Sequence, residues 1–204
     1  MVILSWQMTA VVLAQPEKFI EGVDYTQLAE SVRTQDSSKI EVVEIFWYEC
    51  PHCFSFEPLI SQWHKHSPAD VDFQRVPAMF NSTMRTHAQM YFTAENLGVL
   101  DELHDPMFES LIVQRRRLRN EAQIADLFAE HGVEADIFKA AYNSFSVQTK
   151  LKQAELLMAQ YRPKSTPNMV VNGKYIVAPK GDQRRMLEVV DYLIEKERRL
   201  GLAG

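Results

Sequence analysis

Ile40-Glu41-Val42-Val43-Glu44-Ile45-Phe46-Trp47-Tyr48 runs straight into Glu49-Cys50-Pro51-His52-Cys53, and this junction decides how the rest of the chain is read. The first part is β-branched and aromatic, the pattern of a strand buried on both faces. After Cys53, the residues Phe54, Phe56, Leu59, Ile60 and Trp63 recur at helical spacing. Cys50 therefore sits where a strand feeds the first turn of a helix. Unpaired N–H groups and the positive end of the helix dipole stabilise an anion there, and the anion available is a thiolate. Pro51 suits the first helical position because it lacks an N–H that would go unpaired. His52, when protonated, adds a second positive charge near the sulfur. All three effects lower the pKa of Cys50, and the thiolate is the form that attacks disulfides.

Cys50 and Cys53 are the only 2 cysteines in 204 residues. They cannot build a disulfide framework, so a bond between them is catalytic in character. The alternative is half of a zinc site, completed by His64 and His66. A structural zinc site more usually shows a second ligand pair at finger-like distance, and two histidines two apart on a helix face different sides.

A content of 46% hydrophobic residues with 7 Gly and 9 Pro indicates a well-cored globular chain, not a linker or repeat array. The net charge of -5 gives no global argument for nucleic acid or an anionic membrane. Met1–Ala14 is apolar and uncharged and ends Val12-Leu13-Ala14 before Gln15-Pro16-Glu17-Lys18. It suits a signal-peptidase site and is too short to span a bilayer, but lacks a basic leading region. It reads as the remnant of a signal peptide and places the mature chain in an oxidising compartment.

Further along, Gly22-Val23-Asp24-Tyr25 is expected to form a short edge strand. Pro58 falls inside the helix that begins at Pro51 and should kink it. Val71–Val76 is a second strand, and strand, helix, strand at this spacing makes a βαβ unit with a parallel pair. A helical block follows. Ser82 or Thr83 caps its first helix, Gly98 stops it, a second covers about 100–113, and Asn120-Glu121-Ala122-Gln123 opens a third as a capping box. Two more cover about 134–143 and 146–161. The run Arg115-Arg116-Arg117-Leu118-Arg119 reads as a solvated helix end or loop. Asn168–Val171 and Lys174–Val177 are joined by Asn172-Gly173, a strong hairpin signal because both turn positions need positive φ. Asp182 caps a last helix. Glu44 is the odd residue of the buried strand: an unpaired carboxylate there costs several kcal/mol, and Arg75 on the adjacent strand is its natural partner.

Phe46-Trp47-Tyr48-Glu49-Cys50-Pro51-His52-Cys53, Phe56-Glu57-Pro58, and Thr166-Pro167 ahead of Val170-Val171-Asn172-Gly173-Lys174-Tyr175 together resemble the DsbA family of bacterial periplasmic thiol:disulfide oxidoreductases. The resemblance extends from about Tyr25 to the last helix. It implies an α/β thioredoxin-like fold with a helical domain inserted between its βαβ half and its C-terminal ββα half. The expected divisions are 1–14 as signal remnant, 15–81 and 162–204 as the two halves, and 82–161 as the insertion. It implies that Cys50 is the exposed cysteine that forms the mixed disulfide with substrate, that Cys53 is its buried partner, and that Pro167 is a cis-proline beside them. It implies that Glu44 handles protons beneath the cysteines. The expected cofactor is none beyond the Cys50–Cys53 disulfide, and the expected partners are newly exported polypeptides and a quinone-linked membrane reoxidase of the DsbB type. Two positions depart from the family pattern. Glu49 stands where a small or apolar residue is common, and Thr166 where valine is common. Both touch the sulfur environment, and Glu49 is expected to act as a modest brake on Cys50 ionisation. A reductase or isomerase of the same superfamily is the alternative, since Thr before the cis-proline occurs in isomerases.

Overall fold

A computed structural model describes residues 17–201; the signal-like reading of Met1–Ala14 lies outside them. In chain order the elements are β1 (Thr26–Gln27), β2 (Ile40–Phe46), α1 (Pro51–Lys65), β3 (Val71–Pro77), α2 (Ser82–Leu97) and α3 (Leu100–Ile112). They continue with α4 (Glu121–Glu130), α5 (Ala135–Tyr142), α6 (Phe145–Tyr161), β4 (Asn168–Val171), β5 (Tyr175–Val177) and α7 (Gln183–Arg199). The strands form one sheet in the order β1-β5-β4-β2-β3. β2 lies between β4 and the edge strand β3, parallel to β3 and antiparallel to β4. Helices α2 to α6 all fall between β3 and β4. Among the described residues, no helix is long and apolar enough to cross a membrane.

Every residue of β2 is buried, and alternate side chains serve opposite faces because strand side chains have a period of two. Val43 and Ile45 pack with Met90, Tyr91 and Phe108 of the helical block. Ile40 and Val42 pack with Phe56 and Ile60 of α1 and Val190 and Leu193 of α7. Each fully buried aliphatic or aromatic side chain contributes about 1.5–3 kcal/mol. The same parity sends Glu44 toward the α1 face, where Arg75 links it to Glu57.

The chain differs from its sequence reading at several ends. Residues 21–25 form a turn closed by Gly22 N–H donating to Tyr25 O at 2.7 Å, and the edge strand begins only at Thr26. Trp47 and Tyr48 leave β2, turned by Cys50 N–H donating to Trp47 O at 3.0 Å. Asn81, not Ser82 or Thr83, caps α2: its side chain accepts from Met84 N–H at 3.0 Å. Gly98, at φ 71, closes that helix. Asn120 caps α4, but Gln123 reaches back to Arg119 N–H at 2.8 Å instead of to the cap residue. In the hairpin, Asn172 (φ 50) and Gly173 (φ 60) both take positive φ. A Cβ at Gly173 would lie 2.0 Å from Val32 O, so the turn needs glycine for space as well as conformation.

Candidate active site

Cys50 occupies the N-cap of α1 in extended backbone (φ -94, ψ 113), with Pro51 following as the first helical residue. Both thiols are free. Cys53, one turn on, is 0% exposed, and Cys50 is only 8% exposed. The expectation of an open Cys50 is corrected here, because the loop carrying Thr166 lies against it, with Thr166 O 3.5 Å from Sγ. The Thr166–Pro167 peptide bond is cis.

The Cys50 pKa is lowered to about 5. The first cause is a hydrogen bond from the Cys53 thiol; burial opposes it, and the Thr166 side chain and the amides of Cys53 and His52 add to it. The helix start therefore acts through its N–H groups, as expected. His52 acts on the sulfur through its backbone amide, and the residue is exposed. The His52 carbonyl accepts from Gln183 Nε2 at 2.5 Å, tying α1 to the start of α7. Cys53 moves the other way: burial first, then the neighbouring Cys50, push its thiol far up.

Glu44 is 1% exposed. Arg75 Nε donates to its Oε2 at 3.1 Å, and Arg75 Nη2 donates to Glu57 Oε1 at 2.6 Å. Ser61 Oγ also donates to Glu57 Oε1, at 2.6 Å. The strand register sets this up, since Glu44 and Arg75 are Cα partners across the parallel β2–β3 pair. Burial first raises the Glu44 pKa to about 7, against the pull of Arg75 and with the push of Glu57. Its charge is felt at Cys53.

Glu49 is not a lone carboxylate: its charge is matched by a cation, which offsets the brake expected of it. Both its oxygens accept from Arg119, Nη1 and Nη2 each at 2.7 Å. The arginine run is a loop in which Arg115, Arg117 and Arg119 are exposed, as expected, but two of its members are paired: Arg119 with Glu49, and Arg116 with Glu130 at 2.6 Å. Leu118 is buried and its carbonyl accepts from His87 Nε2 at 2.9 Å. His87 in turn accepts from Trp47 Nε1 at 3.0 Å. Burial above all pushes the His87 pKa down to about 4, so this link is held by a neutral ring.

The zinc alternative is not supported by the layout. His64 stands near the end of α1, fourteen residues or roughly 21 Å of helical rise from Cys50, against Phe73 at 4.7 Å between rings. His66 bonds to Gln62 O at 2.8 Å.

Glu57 and His104 were missed in the sequence. The available signal was spacing: Glu57 lies four residues after Cys53 and so on its helix face, and His104 lies inside the apolar stripe of Leu103, Met107, Phe108 and Leu111. Beside the cysteines a cleft of about 560 Å³ is lined by His52, Leu59, Ser165, Thr166, Gln183 and Arg184. A larger one of about 630 Å³ is lined by Leu28, Tyr161 and Lys164; neither cysteine lines either cleft, but Thr166 and His52 place the smaller one next to them.

A strand-to-helix Cys-Pro-His-Cys facing a cis-proline loop, on a thioredoxin-like sheet, defines a thiol:disulfide exchange protein. Known proteins narrow the class. A family model for the DSBA-like thioredoxin domain matches residues 59–190. The thiol:disulfide interchange protein DsbA of Pseudomonas aeruginosa is 40% identical over 187 residues, 91% of this chain and 89% of that one. Its counterpart from Azotobacter vinelandii is 40% identical over 179 residues, 87% and 84% of the two chains. The crystal structure of Pseudomonas aeruginosa DsbA superposes with a TM-score of 0.87 at 39% identity, covering 91% of this chain and 98% of that one. The chain belongs to the DsbA family of thiol:disulfide oxidoreductases.

Proposed function

We propose that this chain is a periplasmic oxidant of protein dithiols, handing its Cys50–Cys53 disulfide to newly exported, unfolded polypeptides. The observation that supports this most is the asymmetry of the two thiols. Cys50 is held as an anion at a pKa of about 5, while Cys53 is wholly buried and stays protonated. A stable Cys50 thiolate favours the reduced form, so the disulfide is readily given up.

A substrate thiolate attacks Sγ of Cys50. The Cys50–Cys53 bond breaks, its electron pair leaves on Cys53, and Cys53 takes a proton that Glu44, held by Arg75, is placed to give. A second substrate thiolate then attacks the substrate sulfur of the mixed disulfide, and Cys50 departs as the stabilised thiolate. The substrate leaves with a new disulfide and the enzyme keeps two electrons. Pro51 presents the sulfur at the helix mouth, and Thr166, joined by a cis bond to Pro167, borders the cleft in which the polypeptide lies. No cofactor is invoked beyond the disulfide itself. Reoxidation requires an acceptor of two electrons, and the family resemblance makes this a quinone-linked membrane protein of the DsbB type.

Thr166 against the sulfur is the one feature that favours an isomerase or reductase instead. Equilibration of Cys50–Cys53 with glutathione, together with turnover of a reduced unfolded protein, separates the readings. An oxidising couple and rapid disulfide formation are expected. A couple no more oxidising than glutathione, with faster repair of scrambled disulfides than oxidation of dithiols, would assign the isomerase.

A further inference from the structure

The polar chain beneath the cysteines continues past Arg75. Glu57 Oε2 faces His104 Nε2 at 3.3 Å, and among the described residues neither atom has a hydrogen-bond partner elsewhere. On its other side His104 Nδ1 lies 2.7 Å from the Tyr48 hydroxyl. Glu44, Glu57, His104 and Tyr48 are 1%, 6%, 7% and 0% exposed. Only Arg75, with its side chain 18% exposed, reaches the outside, in a cleft with His64 and Tyr91.

The charges in so dry a site must nearly cancel. Arg75 is a permanent cation. Glu57 keeps its negative charge: burial alone would raise its pKa, but the hydrogen bond from His104 and the charge of Arg75 lower it, and the charge of His104 lowers it further when that ring is protonated. Arg75 and Glu57 thus balance, which leaves Glu44. Its ionisation is matched only if His104 is an imidazolium. The cluster therefore has two neutral arrangements, Glu44 protonated with His104 neutral, or Glu44 ionised with His104 protonated. Histidine is the side chain suited to this exchange near neutral pH.

We infer that His104 is a positioning residue for the exchange reaction, sharing one proton with Glu44 through Glu57 and Arg75, so that Glu44 can ionise without leaving a net charge buried. The inference rests on the proposed role of Glu44 as proton donor to Cys53. When the Cys50–Cys53 bond breaks and its electron pair ends on Cys53, the Glu44 carboxyl gives its proton to that sulfur. His104 then takes one proton from solvent. Reoxidation reverses both transfers.

The titratable groups around His104 are Tyr48 on the β2–α1 turn, Glu57 on α1 and Tyr91 on α2, whose ring lies 6.4 Å from the imidazole. Those acting on Glu44 are Arg75 on β3 and Glu57 on α1, and Glu44 in turn acts on Cys53 of α1. Burial pushes both phenols up, so neither competes for the proton near neutral pH.

The test is carbon-13 NMR of the Glu44 carboxyl and the His104 ring in the dithiol protein, titrated across neutral pH. In His104→Gln the Glu44 midpoint should rise by at least about one pH unit, tenfold in proton affinity. In Glu44→Gln the His104 midpoint should fall by the same amount, since coupling between two sites is reciprocal. Glu57→Gln should remove most of both effects. Glu44→Gln deletes a buried charge while keeping shape, so it supplies half of the test even if His104→Gln does not fold. An unmoved midpoint, or two shifts of unequal size, overturns the sharing. Oxidation of a reduced peptide is measured separately. Its failure in the unsubstituted protein would sink the proposed function and leave the proton sharing standing, while unmoved midpoints with turnover intact sink the sharing alone.

Discussion

Arg119 meets the Glu49 carboxylate with both arms of its guanidinium, Nη1 and Nη2 each 2.7 Å from one oxygen. The negative charge directly before Cys50 is thereby matched from the segment between α3 and α4. A bidentate pair fixes direction as well as charge. It pins this segment to the active-site mouth, next to the place where His87 joins Trp47 to Leu118.

Removing either partner should shift Cys50 in opposite senses. Arg119→Gln uncovers a carboxylate beside the thiolate and should raise the Cys50 pKa, whereas Glu49→Gln uncovers a guanidinium and should lower it. The side chains are 39% and 29% exposed, so solvent screens the pair and an interaction of about 0.2–1 kcal/mol applies. That is under one pKa unit at ~1.36 kcal/mol per unit. Thiolate absorbance against pH reads both variants. The double variant should return close to the unsubstituted midpoint, and both single shifts should shrink with added salt. Shifts of the same sign would show that the pair acts by holding the backbone, not by charge.

Cys53→Ala tests what holds the thiolate. The largest stabilising cause at Cys50 is the hydrogen bond from the Cys53 thiol, ahead of Thr166 and the helix-start amides. A hydrogen bond to a charged group contributes about 1.5–3 kcal/mol, so its loss should raise the Cys50 pKa by about 1–2 units. Thiolate absorbance in Cys53→Ala, checked by the pH dependence of alkylation, gives the value. A midpoint that stays near 5 would transfer the role to the amides of His52 and Cys53.

The fold was largely legible because its signals are local. The apolar run through Ile40–Phe46, the Asn172-Gly173 turn and the Asp182 cap each state a conformation within a few residues. The cysteine pair and its helix mouth were legible for the same reason. What escaped depends on contacts distant in sequence. Nothing near Glu49 points to Arg119, 70 positions away, and nothing near Tyr48 points to His104, 56 positions away. The Glu44–Arg75 pair could be foreseen because parallel pairing of adjacent strands brings those two residues into register, whereas Glu57 enters from a helix whose rotation the pattern alone does not fix. The partial burial of Cys50 likewise comes from Thr166, across the whole helical block.

Stability should depend on pH differently in the dithiol and disulfide forms. The folded Cys50 pKa of about 5 lies below the unfolded value of roughly 8.5. Its contribution is therefore fully present above about pH 8.5, falls by roughly 1.4 kcal/mol per pH unit, and is lost through about pH 5. The disulfide form has no thiolate, but closing its short loop adds about 2 kcal/mol by chain entropy. The dithiol form should gain on the disulfide form as pH rises and overtake it around neutral pH. Denaturant midpoints of both forms from pH 5 to 8.5 read this directly. A difference independent of pH would mean that Cys50 is not ionised in the fold.

Glu44→Gln should make the disulfide form more stable at alkaline pH and leave it unchanged in acid. Burial raises the folded pKa of Glu44 to about 7, above the roughly 4.3 of an unfolded glutamate. For a group raised in this way, stability is fully present below about pH 4.3 and is lost as pH rises through about 7. The whole loss is up to about 3–4 kcal/mol at ~1.36 kcal/mol per unit. Glutamine fills the same space and never ionises, so it escapes this cost. Part of the gain is offset, because Arg75 keeps only Glu57 as a charged partner. A net gain of about 1–3 kcal/mol at pH 8 is expected, with little change at pH 4. The disulfide form is the one to use, since it removes both thiols from the proton count. Urea midpoints of the two proteins at the two pH values decide the matter. A Glu44→Gln protein that is less stable at pH 8 would mean that Glu44 is ionised there and that its pairing with Arg75 outweighs the desolvation of both charges.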